Sequence, residues 1–109
     1  MAYDKELEAR LDLLSLHWPG LAKKKMFGGV GYLMHGNMAF GVIQSSLVVR
    51  CGPEAYARCL AMPDVKEFDL TGRAMQGWVM VAPDALATEA GLLAWAERGR
   101  DYAATLPDK

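Results

Sequence analysis

The feature that most constrains the fold is a two-residue alternation that runs from Lys24 to Gly52. Apolar residues occupy every second position of two strands in this stretch: Met38, Phe40 and Val42, then Leu47, Val49 and Cys51. This spacing is typical of strands that bury one face. Gly36-Asn37 is predicted at the centre of the first tight turn, and residues 44–46 form the second. The stretch therefore predicts a three-stranded antiparallel meander.

Helical patterns flank this meander. Leucines at positions 7, 11 and 14 form one apolar stripe on a helix over residues 3–16, with Asp4 as the predicted N-cap. After the meander, Gly52-Pro53-Glu54 predicts the start of a second helix, because proline fits the first helical position. We expect Cys59 on the buried side of that helix, which ends at residues 62–63.

Two more strands and a helix complete the chain. Residues 65–70 alternate, and residues 77–82 are apolar on both faces, so each face of that strand needs a cover. Thr88 is the predicted N-cap of the last helix, where Gly91 and Gly99 indicate close packing or a bend. The predicted order is α-β-β-β-α-β-β-α, an α+β fold.

Length and composition indicate one globular domain over residues 1–109. A chain of 109 residues with 52% hydrophobic and 23% charged residues can bury one core. No apolar run is long enough to span a membrane, and the N-terminus is charged where a signal peptide would be apolar. Cys51 and Cys59 show no disulfide or redox spacing, so we expect reduced, buried thiols in a cytoplasmic protein.

The charge balance argues against tight nucleic-acid binding. The net charge is −1 and the isoelectric point is about 6.1, whereas phosphate neutralisation requires a basic surface. The lysine run at 23–25 is the only local exception, and we interpret it as a solvated strand entry. The sequence predicts weak or no direct DNA binding.

The same lysines precede three closely spaced glycines in KKKMFGGVG, residues 23–31. A phosphate-binding P-loop has its lysine after the last glycine, and a dinucleotide fingerprint leads into a helix, but here the glycines lead into further strand pattern. Glycine inside a strand pattern is typical of a bulge or a close backbone approach. We therefore interpret the stretch as bent β-structure.

No catalytic or metal-binding pattern is found. His17 and His35 are predicted at the surface and stand at no zinc-type spacing with the cysteines. No activated nucleophile motif is present, and Glu67 and Asp69 form a solvated strand face. We expect no enzyme activity, no metal and no cofactor.

Two arginines remain as candidate contacts. Arg50 is the only charge in the apolar segment LVVRC and could hold a carboxylate or phosphate, or could be an outward side chain at a strand end. Arg73, in the connector over residues 71–76, could recognise a ligand or belong to a solvated turn. The chain has seven methionines. We expect Met26, Met34, Met38 and Met80 to fill core gaps, although a methionine-rich surface also suits adaptable binding.

Four segments carry a resemblance to a known family. They are KKMFGGVG at 24–31, GNMA at 36–39, VVRCGPE at 48–54 and TGRAMQGWV at 71–79. Together with LLAW at 92–95, they resemble the N-terminal domain of the TfoX/Sxy family, over nearly the whole chain from residue 3 to residue 106. The resemblance implies a bacterial α+β domain in which a five-stranded antiparallel sheet packs with flanking helices.

The resemblance also implies a role in regulation. Named members of this family regulate competence as co-activators that work with a cyclic-AMP receptor protein, and they carry a second, C-terminal domain. This chain has no room for that domain, so we expect a stand-alone N-terminal domain. No catalytic or metal-binding residue comes with the family.

Two classes of function follow. In the first, the chain is a stand-alone regulatory module that we expect to bind a transcription-related protein or, weakly, DNA. In the second, it is a small-ligand or anion-binding domain that uses Arg50 or Arg73. The candidate interaction residues are Lys24, Lys25, Arg50 and Arg73. Because the strand over residues 77–82 is apolar on both faces, we also predict a homodimer.

Overall fold

The computed structural model describes residues 3–26, 28–69 and 72–108. Its helices are α1 (Lys5–Leu14), α2 (Tyr56–Leu60) and α3 (Glu89–Ala104), and a 3-10 helix spans Pro83–Leu86. Its strands are β1 (Leu21–Met26), β2 (Gly29–Met34), β3 (Asn37–Ile43), β4 (Ser46–Arg50), β5 (Val65–Asp69) and β6 (Ala74–Val81). All neighbouring strands are antiparallel in a sheet of order β1-β2-β3-β4-β6-β5. The α+β class is confirmed.

The predicted number of strands is wrong, because the sheet has six strands rather than five. The extra strand is β1, so the predicted three-stranded meander has four strands. Gly28 has φ +75°, a left-handed conformation that glycine adopts without strain, and the chain reverses there between β1 and β2. The stretch interpreted as one bent strand is therefore a hairpin. Phe27, which precedes Gly28 in the sequence, lies outside the described residues.

Two local predictions also need correction. The first tight turn centres on His35 and Gly36, both at positive φ, while Asn37 already belongs to β3 and donates from Nδ2 to the Pro107 carbonyl at 2.8 Å. The second helix begins at Tyr56 and not at the predicted Pro53. Residues 53–55 form a turn instead, and Cys59 N donates to Ala55 O at 2.9 Å at the start of the helix. No side chain caps the helix N-terminus.

The two long helices begin where the sequence predicts. Asp4 accepts hydrogen bonds from the backbone N–H groups of the first turn of α1, and Thr88 accepts one from Gly91 N at 3.0 Å. Gly99 lies against the Ala39 carbonyl, where a Cβ would collide with the oxygen. This confirms the close packing that the glycine indicates, since α3 crosses β3 at that point.

All three helices pack on one face of the sheet. Their buried residues share one hydrophobic cluster with inward strand positions, among them Tyr32, Phe40, Val42, Leu47, Val49, Val79 and Val81. Val48 and Phe68 are buried too, yet they lie outside that cluster. Successive strand residues point to opposite faces, so these two belong to the face without helices.

Candidate interaction surface

The face of the sheet opposite the helices is called the open face here. Strand register places one residue from each of the six strands in a row across it. That row is Lys24, Gly31, Gly41, Val48, Met80 and Lys66, in the order in which the strands pair. The row thus has a lysine at each edge strand and small or apolar residues between them.

Side chains on either side of this row make the open face apolar. They are partly or fully buried, and they are Met26, Leu33, Met38, Ile43, Phe68 and Trp78. Met26 and Met38 lie over the glycines: the Met38 methyl is 3.0 Å from the position of a Cβ at Gly41 and 3.3 Å from that at Gly31. Val48 is 0% exposed although no described helix covers it. The methionines therefore form a thin cover of their own.

Such a cover can change shape. Methionine is unbranched and polarizable, so it repacks against different partners at low cost. The glycine pair beneath Met38 leaves a shallow trough that the side chain now fills. A docking surface could use this trough once the methionine moves aside, so the open face is the strongest candidate for a functional site.

Arg50 lies at the end of β4 on the open face, directly across from Trp78. Its guanidinium carbon is 5.2 Å from the centre of the Trp78 ring and 5.7 Å from that of Tyr102, which comes from α3. Both distances are typical of cation–π contacts. No hydrogen bond or ion pair joins the guanidinium to any other described residue, and it retains contact with solvent.

Two glycines let these rings converge. Gly52 has φ +88°, and a Cβ there would lie 2.5 Å from the Tyr102 ring. Gly77 has φ +93°, and its carbonyl accepts hydrogen bonds from the backbone N–H groups of Cys51 and Gly52 at 2.9 and 3.0 Å. The end of β4 is thus tied to β6, and the three side chains of the cluster are held in place.

The structure does not bring the four candidate interaction residues together. Lys24 points to the open face and Lys25 to the helix face, because they are neighbours on β1. Lys24 and Arg50 are three strand spacings apart, on the order of 15 Å. Arg73 precedes β6 by one residue and stands five residues from Trp78, which is again on the order of 15 Å along the strand.

Lys23, in the same run, has partners. Its ammonium group contacts Glu8 Oε2 at 2.8 Å and Asp12 Oδ2 at 3.0 Å on α1. The hydrogen bond between Lys23 and Glu8 lowers the pKa of Glu8 and raises that of Lys23. Tyr32 donates to Asp12 Oδ1 at 2.7 Å, and burial together with this bond raises the pKa of the Tyr32 hydroxyl. These contacts join β1 and β2 to α1.

The two cysteines are free and buried, as the sequence predicts. Cys51 follows β4, and its thiol donates to the Gly77 carbonyl at 3.4 Å. Burial, together with the neighbouring Cys59 thiol, raises the pKa of Cys51 to about 12. A thiol in this state is a poor nucleophile, since the thiolate is the reactive form.

Within residues 3–26, 28–69 and 72–108, no three His, Cys, Asp or Glu side chains are grouped so that they could hold a metal ion. No helix in the described part of the chain is long and apolar enough to cross a membrane.

Comparison with known families places this geometry in context. The family model of the TfoX N-terminal domain matches residues 12–103. The chain belongs to this family. The match confirms the resemblance carried by the glycine and GWV segments, and the TfoX N-terminal domain is not a known enzyme family. No curated protein and no solved structure matches the chain.

Sequence reasoning missed part of the surface of this TfoX N-terminal domain. It singled out Arg50 but not Trp78 or Tyr102, because the three meet only through strand pairing and helix packing. It considered the methionines as a possible adaptable surface without placing them on one face. Gly31 and Gly41 are the sequence features that could have indicated this face. They do so only once β2 is known to pair with β3, because that pairing places the two glycines side by side.

Proposed function

We propose that this TfoX N-terminal domain is a non-enzymatic interaction module of a cytoplasmic transcription regulator, and that it acts mainly through a protein partner that docks on the open face. The observation that carries this proposal is a sheet face of apolar residues that no described helix covers. Interface cores are enriched in Met, Trp, Tyr and Arg, and all four residue types occur on this face or beside it.

Charge favours a partner that is apolar at its centre and acidic at its rim. The strand positions of the open face carry the cations Lys24, Arg50 and Lys66. Edge strand β5 carries two carboxylates, Glu67 and Asp69. They line a shallow depression together with Lys66 and Met80. The rest of the face is positive or neutral, so an acidic rim would speed association and set the orientation of the partner.

The predicted homodimer stays a prediction, and it would use the same face. The prediction rests on a last strand that is apolar on both faces. In β6, Val79 and Val81 are buried under the helices, while the apolar Trp78 and Met80 are partly exposed on the other side. Two copies would place cations against cations, so we expect their association to strengthen as salt screens the repulsion. Light scattering at micromolar concentrations and two salt concentrations measures this. A monomeric mass in every condition would contradict the homodimer.

A second candidate function is the binding of a small anion at Arg50. The observation in its favour is the guanidinium of Arg50, which is held by two rings and joined to no carboxylate of the described residues. Of the two candidate arginines, the proposed site uses Arg50, because Arg73 is five residues from Trp78, on the order of 15 Å along the chain.

The proposal is tested with one matched pair of variants. Met80→Glu places an acid on the open face, and Leu13→Glu makes the same kind of change on α1, where Leu13 is 72% exposed. Each protein is used to capture partners from a bacterial extract, and the protein retained by the wild type is then purified and titrated by calorimetry. We expect Met80→Glu to weaken binding at least about tenfold and Leu13→Glu to leave it unchanged.

The reverse pattern would overturn the proposal. If Leu13→Glu abolishes binding while Met80→Glu retains it, the partner docks on the helix layer. Circular dichroism and the urea midpoint of both variants show whether either change has altered the fold itself.

A further inference from the structure

Three arginines of the described chain lie over aromatic rings: Arg50, Arg98 over Trp95 at 5.0 Å, and Arg100. Of these, only Arg50 has two rings beside it, and it differs from Arg100 in its polar contacts. Arg100 also lies over an aromatic ring, 4.4 Å from the centre of Trp18, but its guanidinium contacts Asp101 at 2.8 Å and Glu97 at 3.9 Å. Arg50 has two rings beside it and neither a carboxylate within 4.0 Å nor a hydrogen-bond acceptor in the described chain. Its five N–H donors are satisfied only by water or by a partner.

The surroundings of Arg50 prepare it for a planar acceptor. Rings on Trp78 and Tyr102 restrict the guanidinium, so less side-chain entropy is lost when it binds. Phe68 backs the Trp78 ring, with the ring centres 6.2 Å apart. Across the sheet, Met80 and Val48 add apolar surface in the next row, and an apolar neighbourhood strengthens an ion pair that becomes covered.

We infer that Arg50 is the anchor for a carboxylate of the docked partner, an Asp or Glu side chain flanked by apolar residues. This inference rests on the proposed function and names the chemistry that the open face recognises. A carboxylate accepts two parallel N–H···O bonds from the guanidinium fork, which a lysine cannot supply. A single carboxylate is enough to pair with Arg50, because Lys24 and Arg73 are each on the order of 15 Å away.

The test begins with a random peptide library selected on the wild-type protein. The selected peptide is then made in two forms, one with its Asp or Glu and one with the corresponding amide. Both are titrated against the wild type, Arg50→Gln, Arg50→Lys and Lys24→Gln. Lys24→Gln is the matched control, because it removes one positive charge from the same face without touching the aromatic cluster.

We expect the amide peptide to bind the wild type at least about tenfold more weakly than the acid peptide. Arg50→Gln should bind both peptides equally, with the affinity that the wild type has for the amide form. Arg50→Lys should show only part of the affinity difference between the acid and amide peptides. Lys24→Gln should show the full difference. This coupling between one side chain and one carboxylate is something that a loss of folding in the variant would not produce.

The outcomes separate this inference from the proposed function. If peptides bind the open face but the acid and amide forms bind equally, Arg50 does not anchor a carboxylate. The open face would then still be the docking surface. If no selected peptide perturbs open-face residues in NMR spectra, both are wrong. Sodium acetate and inorganic phosphate are titrated alone as well, and saturation by either at millimolar concentration would assign the site to a small anion instead.

Discussion

The terminal methyl group of Met38 lies over Gly41, 3.0 Å from the position that a Cβ at Gly41 would occupy. The glycine has no side chain of its own on the open face, so the methionine from the same strand fills the space. Flexible methyl groups over a glycine trough make a surface that is closed in the free protein and can open for a partner.

Gly41→Ala should destabilise the fold. A Cβ at Gly41 would come within 2.7 Å of the Val30 carbonyl oxygen, which belongs to the backbone of β2 and cannot move aside as a side chain would. Overpacking of this kind costs about 1–3 kcal/mol of the free energy of unfolding, measured by urea denaturation. Ser46→Ala, on the same face, is the control and should stay within about 0.5 kcal/mol. An unchanged midpoint for Gly41→Ala would show that β2 and β3 are further apart than described.

Acid should weaken the contact between α1 and β1. The Lys23 hydrogen bond lowers the pKa of Glu8 in the folded state, so its contribution is present above the ordinary glutamate pKa and is lost as pH falls through the lower folded value. Urea midpoints of the wild type and Glu8→Gln, measured from pH 7 to pH 3, should converge at the acid end. The difference at pH 7 should stay below about 1 kcal/mol, as for exposed ion pairs. A difference that grows as pH falls would contradict the pairing.

Much of the fold follows from local pattern. Asp4 and Thr88 cap their helices as predicted, because a cap needs only a side-chain oxygen and the N–H groups two or three residues on. The missed strand had a local cause. Gly28 reverses the chain through its positive φ, but a glycine within alternating residues gives the same pattern when it bends one strand.

The candidate surface was less predictable, for a non-local reason. Arg50 is recognisable as a charge in an apolar strand, but its surroundings come from β6 and α3, which are 28 and 52 residues further along the chain at Trp78 and Tyr102. Likewise, the separation between Lys24 on β1 and Arg73 before β6 depends on the strand order, which the sequence does not reveal.

Both cysteines should resist alkylation in the folded protein. Cys51 and Cys59 are buried, and the raised pKa of Cys51 keeps its thiol protonated at pH 8. Maleimide labelling followed by mass spectrometry should show slow modification that becomes fast in urea. Because the unfolded thiol ionises at a lower pH than the folded one, stability should fall as pH rises above the ordinary cysteine value near 8.5. Rapid labelling of both thiols without urea would contradict their burial.

Specific binding to duplex DNA should be absent at physiological salt. Lys23 is engaged by two carboxylates, and Lys24 and Lys25 point to opposite faces of the sheet. Even three simultaneous phosphate contacts would give a log–log salt slope of only about −2.7, from about 0.9 per contact. Titration with random duplex at two salt concentrations measures that slope. Enrichment of one motif from a randomised duplex library, with submicromolar affinity at about 0.15 M salt, would contradict the expectation.

The most direct test of the open face as the docking surface uses NMR of protein labelled with carbon-13 at the methionine methyl groups. Met38 and Met80 lie on the open face, whereas Met34 is buried in the core at 4% exposure and Met62 packs beside α2 on the helix side. A peptide selected on the wild-type protein is added in steps. The account predicts shifts for Met38 and Met80, with Met34 and Met62 unchanged. Shifts confined to Met62, with Met38 and Met80 unmoved at saturation, would contradict it.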